Sequence, residues 1–185
     1  MNLKIYDNCV NQAVVNHLYD VLGKQGEFPW YFIYSTAGPK WDATELPSFV
    51  HTLFYQGQPN SEYWSLFKPF IIELFDTIGE TVDTEIMRVR LGLITKMEKE
   101  YVHGPHVDWE DWPHKTALFY FNTSDGPTYF YNQRWQKNIE PKEYTLDQKI
   151  DPVSNRCVVF DGYQYHSSST PVDTTYRVVM NINYC

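Results

Sequence analysis

The first chemical signal in this sequence is a set of three residues, His106, Asp108 and His166. Their side chains are of types that bind metal ions, and their spacing allows them to meet. His106 and Asp108 are separated by one residue, and His166 follows an apolar run further along the chain. In an extended segment, side chains two positions apart point to the same side, so this imidazole and this carboxylate can meet at one ion. Two imidazoles and one carboxylate leave three positions of an octahedral Fe(II) open for a chelating co-substrate and dioxygen. His106, Asp108 and His166 are therefore a candidate 2-His-1-carboxylate site.

A His-x-Asp triplet alone is more often structural, and the strand pattern at the end of the chain adds weight to the metal site. In residues 175–184, Arg177, Asn181 and Asn183 share one face and apolar side chains share the other. Buried polar groups need partners. If the polar face lines a barrel, Arg177 becomes a fixed cation for a carboxylate. A second interpretation stays open from the pattern alone, in which the polar face is solvated and the apolar face is core.

Two amphipathic helices are predicted in the first half of the chain. Apolar residues recur at helical spacing over 10–22, and Gly23 ends this helix. A second apolar stripe covers 64–78, with Ser61 as the cap and Pro69 as a kink or a late start. Both stripes are predicted to face the core. They therefore give the strands a support to pack on.

Short strands make up most of the rest. An extended aromatic arm is expected at 28–38, with a turn at Gly38-Pro39. Strands are predicted at 2–6, 87–93, 101–108, 115–122, 127–132, 143–147, 156–161 and 175–184. His166 is expected in a loop after the 156–161 strand. Helices followed by a run of short strands predict an α+β chain built on a β-sandwich or jelly roll.

Composition excludes several functions. The 185 residues fit one domain, and the net charge of −8 with no basic run argues against binding to nucleic acid. No apolar run reaches the length of a membrane span, and the amino terminus has no signal-like apolar segment. Three widely spaced cysteines fit a reducing compartment, so a soluble cytoplasmic protein is expected.

These motifs resemble a known enzyme family. HVD at 106–108, His166 and Arg177 are similar to the signature of 2-oxoglutarate- and Fe(II)-dependent dioxygenases. FYFN at 119–122 and RVVMNINY at 177–184 resemble the prolyl 4-hydroxylase-like branch, and the N-terminal half resembles small oxygenases of marine phages and bacteria. The resemblance implies a double-stranded β-helix core, the cupin-like jelly roll, over 84–185. It also implies helical support from 1–83, with the helices packed on one sheet of a single domain.

The resemblance also implies a role for each motif residue. His106, Asp108 and His166 would bind Fe(II), and Arg177 would bind the distal carboxylate of 2-oxoglutarate. Tyr120 would help to hold that carboxylate, although a core aromatic is the alternative. Asn181 would line the co-substrate pocket. Dioxygen would be the oxidant and ascorbate a supporting reductant, while the residues that hold the keto-acid end stay unassigned.

Other polar residues near the motif receive weaker assignments. Arg88 and Arg90 are candidates for the cleft, with surface or ion-pair roles as the alternative. His103 and His114 are expected not to bind the metal. The loop between Asp108 and His114 is expected beside the metal, where its tryptophans could contact substrate.

The implied reaction is oxidative decarboxylation of 2-oxoglutarate to succinate, coupled to hydroxylation of a C–H bond. A prolyl or other amino-acid or peptide substrate is expected. Related halogenases lack the carboxylate ligand, so Asp108 favours hydroxylation. Two alternatives are a cupin-like metal enzyme that does not use 2-oxoglutarate and a jelly-roll binding module without catalysis.

Overall fold

The computed structural model describes residues 3–24, 27–35, 46–81 and 85–185, and the turn expected at Gly38-Pro39 lies outside these ranges. Over the described ranges the elements run in the following order: β1 Lys4–Asp7, α1 Gln12–Gly23, β2 Tyr31–Ile33, β3 Ser48–Tyr55, β4 Gln58–Pro59, α2 Trp64–Ile78, β5 Ile86–Thr95, β6 Lys115–Tyr120, β7 Thr128–Arg134, β8 Leu146–Ile150, β9 Arg156–Asp161, β10 Gln164–Ser168 and β11 Tyr176–Tyr184. None of the helices in these ranges is long and apolar enough to cross a membrane.

Two antiparallel sheets form the barrel. The larger sheet has the strand order β1-β9-β6-β11-β5-β3-β2, with β4 paired to β3, and the smaller sheet has the order β10-β7-β8. Strand β11 lies in the middle of the larger sheet, hydrogen-bonded to β5 on one side and to β6 on the other. This arrangement confirms the predicted jelly roll and gives β11 a central position in its wall.

The two helices pack on the outer face of the larger sheet. Leu18 of α1 and Phe70 of α2 are buried in one cluster with Phe119 of β6 and Met180 of β11. The rings of Phe70 and Phe119 meet edge to face with centroids 4.9 Å apart. The apolar face of β11 is therefore part of the core. Its polar face points to the inside of the barrel, so the interpretation in which the polar face is solvated is wrong.

The structure corrects several predictions about elements. Strand β3 was not predicted, and it pairs with β5 in the larger sheet. The predicted strand 101–108 contains only isolated bridges at Val102 and His106. Pro105 has no N–H to donate to a ladder, which interrupts regular pairing there.

Two further differences concern positions within elements. His166 was expected in a loop but lies inside β10, which pairs with β7. Helix α2 begins at Trp64, and no side chain caps its first turn. The hydroxyl of Ser61 instead accepts a hydrogen bond from Tyr63 N at 3.1 Å, in the turn that precedes the helix. Pro69 lies inside α2.

Candidate metal centre

The two candidate histidine ligands face each other across a single backbone bridge. His106 N donates to His166 O and His166 N donates to His106 O, each at 3.0 Å. In such a hydrogen-bonded pair the side chains leave the backbone on the same side, and the two ring centroids lie 4.7 Å apart. The short bridge at residue 106 thus brings together residues that are far apart in sequence.

Both imidazole rings are oriented by backbone carbonyl groups. Nδ1 of His106 lies 3.1 Å from Gly104 O, and Nδ1 of His166 lies 3.0 Å from Gln164 O. Because a carbonyl oxygen only accepts, each Nδ1 carries the proton in these contacts, and each Nε2 keeps its lone pair. Burial, followed by the nearby His166, lowers the pKa of His106 to about 4, so its ring is neutral at neutral pH. Both rings are prepared to bind a cation through Nε2.

Asp108 completes the triad. One nitrogen or oxygen atom from each of His106, Asp108 and His166 lies within 4.8 Å of the corresponding atoms of the other two. Asp108 Oδ2 is 3.8 Å from His166 Nε2. Burial alone would raise the pKa of Asp108, but the electrostatic interactions with His166 and with the Arg88 guanidinium outweigh it and hold the pKa well below the ordinary value. The carboxylate is therefore ionised.

Four side chains from the larger sheet fix the Asp108 carboxylate. Arg88 Nη2 donates to Oδ1 at 2.9 Å. Asn181 Nδ2 and Asn183 Nδ2 donate to Oδ2 at 3.0 and 3.1 Å, and the Thr116 hydroxyl donates to the same oxygen at 3.3 Å. Partners of this kind orient a ligand and raise its affinity for a metal.

Arg177 lies inside the same barrel with its side chain almost fully buried, at 2% exposure. Its Nη2 donates to the Thr128 hydroxyl at 2.6 Å, and its Nε has no hydrogen-bond partner among the described residues. No carboxylate within those residues forms an ion pair with it. Burial lowers the pKa of Arg177, yet a guanidinium stays charged at neutral pH. A buried, uncompensated cation is costly to the fold and calls for an anion.

Tyr120 contacts Arg177 and Thr128 on the side away from the cavity. Its hydroxyl is 2.7 Å from the Thr128 hydroxyl, and its ring centroid is 5.5 Å from the Arg177 guanidinium carbon. Burial raises the pKa of Tyr120, so its phenol stays protonated. Among the described residues that line the cavity, Thr128 is present and Tyr120 is absent. In this structure Tyr120 therefore acts on the cavity through Thr128.

One cavity joins these groups. It has a volume of about 100 Å³, and it is lined by all three members of the triad together with Arg177, Asn181 and Thr128. The floor is formed by side chains of β3, β5 and β11, and the smaller sheet supplies the opposite wall. The cavity thus places a candidate metal site and a buried cation in a common space.

The structure brings most of the sequence-predicted site residues to one cavity. The triad and Arg177 converge on the cavity, and Asn181 lines it while donating to Asp108. The side-chain oxygen of Asn181 has no hydrogen-bond partner among the described residues. Sequence reasoning assigned no role to Asn183 or Thr128. The polar alternation of β11 already pointed to Asn183, whereas no local pattern marked Thr128.

The two remaining histidines near the motif lie outside the triad. His103 is buried and donates its backbone N–H to Ser168 O at 2.9 Å. His114 is also buried, its Nδ1 lies 2.9 Å from Trp112 O, and its ring packs over Gly162. Neither belongs to the group of residues that could share an ion with Asp108.

The donor set fits a ferrous ion. Two neutral imidazoles and one carboxylate are the ligands of mononuclear non-haem iron sites with open positions. Their outer atoms are held by Gly104 O, Gln164 O and the four donors to Asp108, so the set is organised before any metal binds. Arg177, which forms no ion pair with a carboxylate of the described residues, supplies a contact in the same cavity for an anion that approaches the metal.

Comparison with solved structures shows the same fold in iron oxygenases. No protein-family model and no curated protein matches the sequence. An oxidoreductase of the 2OG-Fe(II) oxygenase family from Burkholderia pseudomallei is 13% identical, with a TM-score of 0.69 over 98% of this chain and 84% of that chain. A prolyl-4-hydroxylase from Pseudomonas putida is 12% identical, with a TM-score of 0.58 over 98% of this chain and 91% of that chain.

A third solved structure is HygX from Streptomyces hygroscopicus, with nickel and 2-oxoglutarate bound. It is 12% identical, with a TM-score of 0.62 over 99% of this chain and 82% of that chain. Together these similarities show that the chain has the double-stranded β-helix fold of the 2OG-Fe(II) oxygenases. A fold hosts many reactions, so the function has to be argued from the site.

Proposed function

We propose that this protein, with the fold of the 2OG-Fe(II) oxygenases, is a 2-oxoglutarate- and Fe(II)-dependent dioxygenase that hydroxylates a C–H bond. The observation that carries the proposal is the pairing of His106, Asp108 and His166 with a buried Arg177 that lacks a carboxylate partner among the described residues. A prolyl or other amino-acid or peptide substrate is proposed. The Pseudomonas putida hydroxylase supports this choice as a similar fold with that activity.

The charges of the cavity match 2-oxoglutarate, which carries a carboxylate at each end. Arg177 would bind the distal carboxylate through its free Nε and its guanidinium edge, and a bidentate contact of this kind is strong and directional. The Thr128 hydroxyl, already bonded to Arg177 at 2.6 Å, is placed beside the same carboxylate. The keto-acid end would then lie toward the triad, where the open metal positions take a chelating group.

The bound iron would supply the oxidation, in which decarboxylation of 2-oxoglutarate to succinate drives insertion of one oxygen atom into a C–H bond. The protein contributes orientation and a dry environment. Asp108 is held by donors on both carboxylate oxygens, and as a ligand it would fill a position that a halide would otherwise need, which favours hydroxylation over halide transfer. The apolar neighbours Leu118 and Val179 in the lining reduce the access of water to the oxidant.

The first experiment measures succinate release by the Fe(II)-loaded protein with 2-oxoglutarate, dioxygen and ascorbate. Uncoupled turnover needs no prime substrate, so it distinguishes this proposal from a metal enzyme that ignores 2-oxoglutarate and from a binding module. Titration of 2-oxoglutarate into the metal-loaded protein gives a second measurement. Absence of metal-dependent 2-oxoglutarate binding in the wild-type protein would refute the proposal.

The variant Arg177→Leu tests the proposed binding residue. It should weaken 2-oxoglutarate binding by roughly tenfold to a hundredfold, the range expected for a lost charged hydrogen bond, and leave iron affinity nearly unchanged. Arg134→Leu is the matched control, because Arg134 is half-exposed and pairs with Asp161 at 2.7 Å on the surface. An equal loss of iron and 2-oxoglutarate affinity in Arg177→Leu would assign Arg177 a structural role.

A further inference from the structure

Three arginines line the cavity, and they differ in whether a carboxylate balances their charge. Arg88 donates to Asn183 Oδ1 and Asp108 Oδ1, both at 2.9 Å, so its charge is matched inside the protein. Arg177 donates to the Thr128 hydroxyl and, under the proposed function, would bind the distal carboxylate of the co-substrate. Arg90 lines the same cavity, and across the described part of the chain it forms no ion pair with a carboxylate.

Arg90 is built into the floor of the cavity. In the sheet it lies opposite Asn181 of β11 and Thr52 of β3, and the next residue on its face of β5 is Gly92. Burial, followed by repulsion from Arg88, lowers the pKa of Arg90 to about 10, which still leaves the group charged at neutral pH. Arg90 is only partly buried and lines the cavity, so its guanidinium is accessible from that space.

Arg90 and Arg177 serve different ends of the space. Arg177 lies opposite Ile94 on β5, and Arg90 precedes Ile94 by four residues, so the Cα atoms of Arg90 and Ile94 are about 13 Å apart at the usual rise per residue. The carboxylate of Asp108 lies near the Arg90 end, since it is bonded to Asn181, the partner of Arg90 in the sheet. A co-substrate that extends from Arg177 to the triad thus leaves Arg90 on the β3 side of the metal.

Of the three arginines that line the cavity, Arg90 is the one for which neither Asp108 nor 2-oxoglutarate supplies a balancing negative charge. Asp108 is neutralised by Arg88, and Arg177 would be neutralised by the distal carboxylate of 2-oxoglutarate. The second carboxylate of 2-oxoglutarate would bind the metal. Among the described residues Arg90 has no carboxylate of its own to pair with and is influenced only by the Asp108 charge that Arg88 already binds, and such a cation inside a cavity favours binding of a further anion.

We propose that Arg90 binds a carboxylate of the molecule that is oxidised, so that the substrate is a small carboxylic acid such as a free amino acid rather than an internal peptide residue. This inference rests on the proposed function. An aromatic pair lies next to the triad, since Trp109 follows Asp108 directly and its ring centroid lies 5.9 Å from that of Tyr55. Tyr55 lies opposite Arg88 in the sheet, outside the cavity lining.

The test uses the common amino acids, each as the free acid and as its carboxamide. For the Fe(II)-loaded wild-type enzyme with 2-oxoglutarate, at least one acid should stimulate succinate release roughly tenfold more than its amide, the effect of one charged hydrogen bond. In Arg90→Gln this acid-to-amide ratio should fall toward unity, and Arg90→Lys should keep part of it. The KM for 2-oxoglutarate should stay within about threefold of wild type in Arg90→Gln, well below the tenfold of a lost charged contact.

A binding measurement accompanies the assay. Each acid is titrated calorimetrically, without oxygen, into the protein loaded with Fe(II) and 2-oxoglutarate. The stimulating acid should bind roughly tenfold more weakly to Arg90→Gln, whereas 2-oxoglutarate should bind both proteins alike, which also shows that the variant is folded.

Two results would overturn the inference while leaving the proposed function intact. The first is a wild-type enzyme that turns over 2-oxoglutarate but prefers no acid to its amide. The second is a loss of 2-oxoglutarate affinity in Arg90→Gln as large as that in Arg177→Leu, which would place the co-substrate itself on Arg90. A wild-type protein that does not bind 2-oxoglutarate would instead remove both proposals.

Discussion

Among single residues, Asn183 has the largest set of contacts with the triad and its support. It is fully buried, and its Oδ1 accepts from Arg88 Nε at 2.9 Å. Its Nδ2 donates to Asp108 Oδ2 at 3.1 Å and to the Thr116 hydroxyl at 3.0 Å. Asn183 therefore holds both the metal-binding carboxylate and the arginine that neutralises it, without reaching the cavity itself.

The variant Asn183→Ala should weaken Fe(II) binding by roughly tenfold to a hundredfold, the usual effect of losing a partner that orients a metal ligand. Fe(II) affinity can be measured by competition with a chelator, and Asn132→Ala on the exposed part of β7 is the matched control. Asn183→Asp should be worse than Asn183→Ala, because it sets a second carboxylate against Asp108. Wild-type iron affinity in a folded Asn183→Ala protein would show that Asp108 is positioned without it.

Much of the candidate site could be predicted from residue types alone, but not all of it. His106, Asp108 and His166 are recognisable because few other residue types bind iron, and Arg177 because an arginine on a buried face needs an anion. Thr128 could not be singled out, since a threonine in a strand has no distinctive pattern. Its importance comes from its contacts with Arg177 and Tyr120 across the barrel.

Among elements, the sequence predicted strands well where one face is apolar and the other polar. The alternation of β11 is regular, with its apolar face against the helices and its polar face in the cavity. Strand β3 lacks this regularity because its pairing with β5 shifts between Thr52 and Phe54. Strand β10 is covered on both sides and rich in polar residues, so no alternation marks it.

Two glycines on either side of the barrel allow the packing of elements to be tested. A Cβ at Gly126 would lie 2.7 Å from Ser169 O and 2.9 Å from Pro171 N, both backbone atoms of the segment that joins β10 to β11. A Cβ at Gly92 would meet only a Val179 methyl group, at 3.4 Å. Gly126 therefore permits a close approach of two backbones, whereas Gly92 leaves space in the cavity that a side chain at this position would fill.

Gly126→Ala should destabilise the fold by about 1–3 kcal/mol, the usual effect of overpacking, and Gly92→Ala should change stability little. Urea unfolding of the metal-free proteins measures both free energies of unfolding. Gly92→Ala should instead weaken ligand binding in the cavity, because the new methyl group occupies its floor. Equal stability of the two variants would show that the chain can relax around residue 126.

At the scale of the whole molecule, the candidate metal centre ties the two sheets together. His166 belongs to β10 in the smaller sheet and holds the 106 segment by a backbone bridge. Asp108 is anchored to β5 and β11 in the larger sheet through Arg88, Asn181 and Asn183. The Arg177–Thr128 contact crosses between the same sheets at the other end of the cavity. A metal bound by the triad therefore adds a link between two layers that the hydrogen bonds of Arg177 and Tyr120 to Thr128 already join.

This arrangement predicts an ordered effect of ligands on thermal stability. Fe(II), added without oxygen, should raise the melting temperature of the protein, because the ion binds the folded triad and the unfolded chain has no such site. A hundredfold excess over the dissociation constant stabilises by about 2.7 kcal/mol, and this corresponds to roughly 5–10 °C for a chain of this size. 2-Oxoglutarate should add a further rise only when the metal is present, since the co-substrate would be held at one end by the metal and at the other by Arg177.

The four combinations of metal and 2-oxoglutarate, measured on wild type and Arg177→Leu, separate these contributions. The variant should keep the shift caused by Fe(II) and lose most of the additional shift caused by 2-oxoglutarate. Its metal-free form should melt no lower than wild type, because replacing a buried arginine by an apolar side chain removes an uncompensated charge from the barrel. A 2-oxoglutarate shift that is equally large without metal would mean that the co-substrate binds to arginine alone, and the proposed link between the two ends of the cavity would then be wrong.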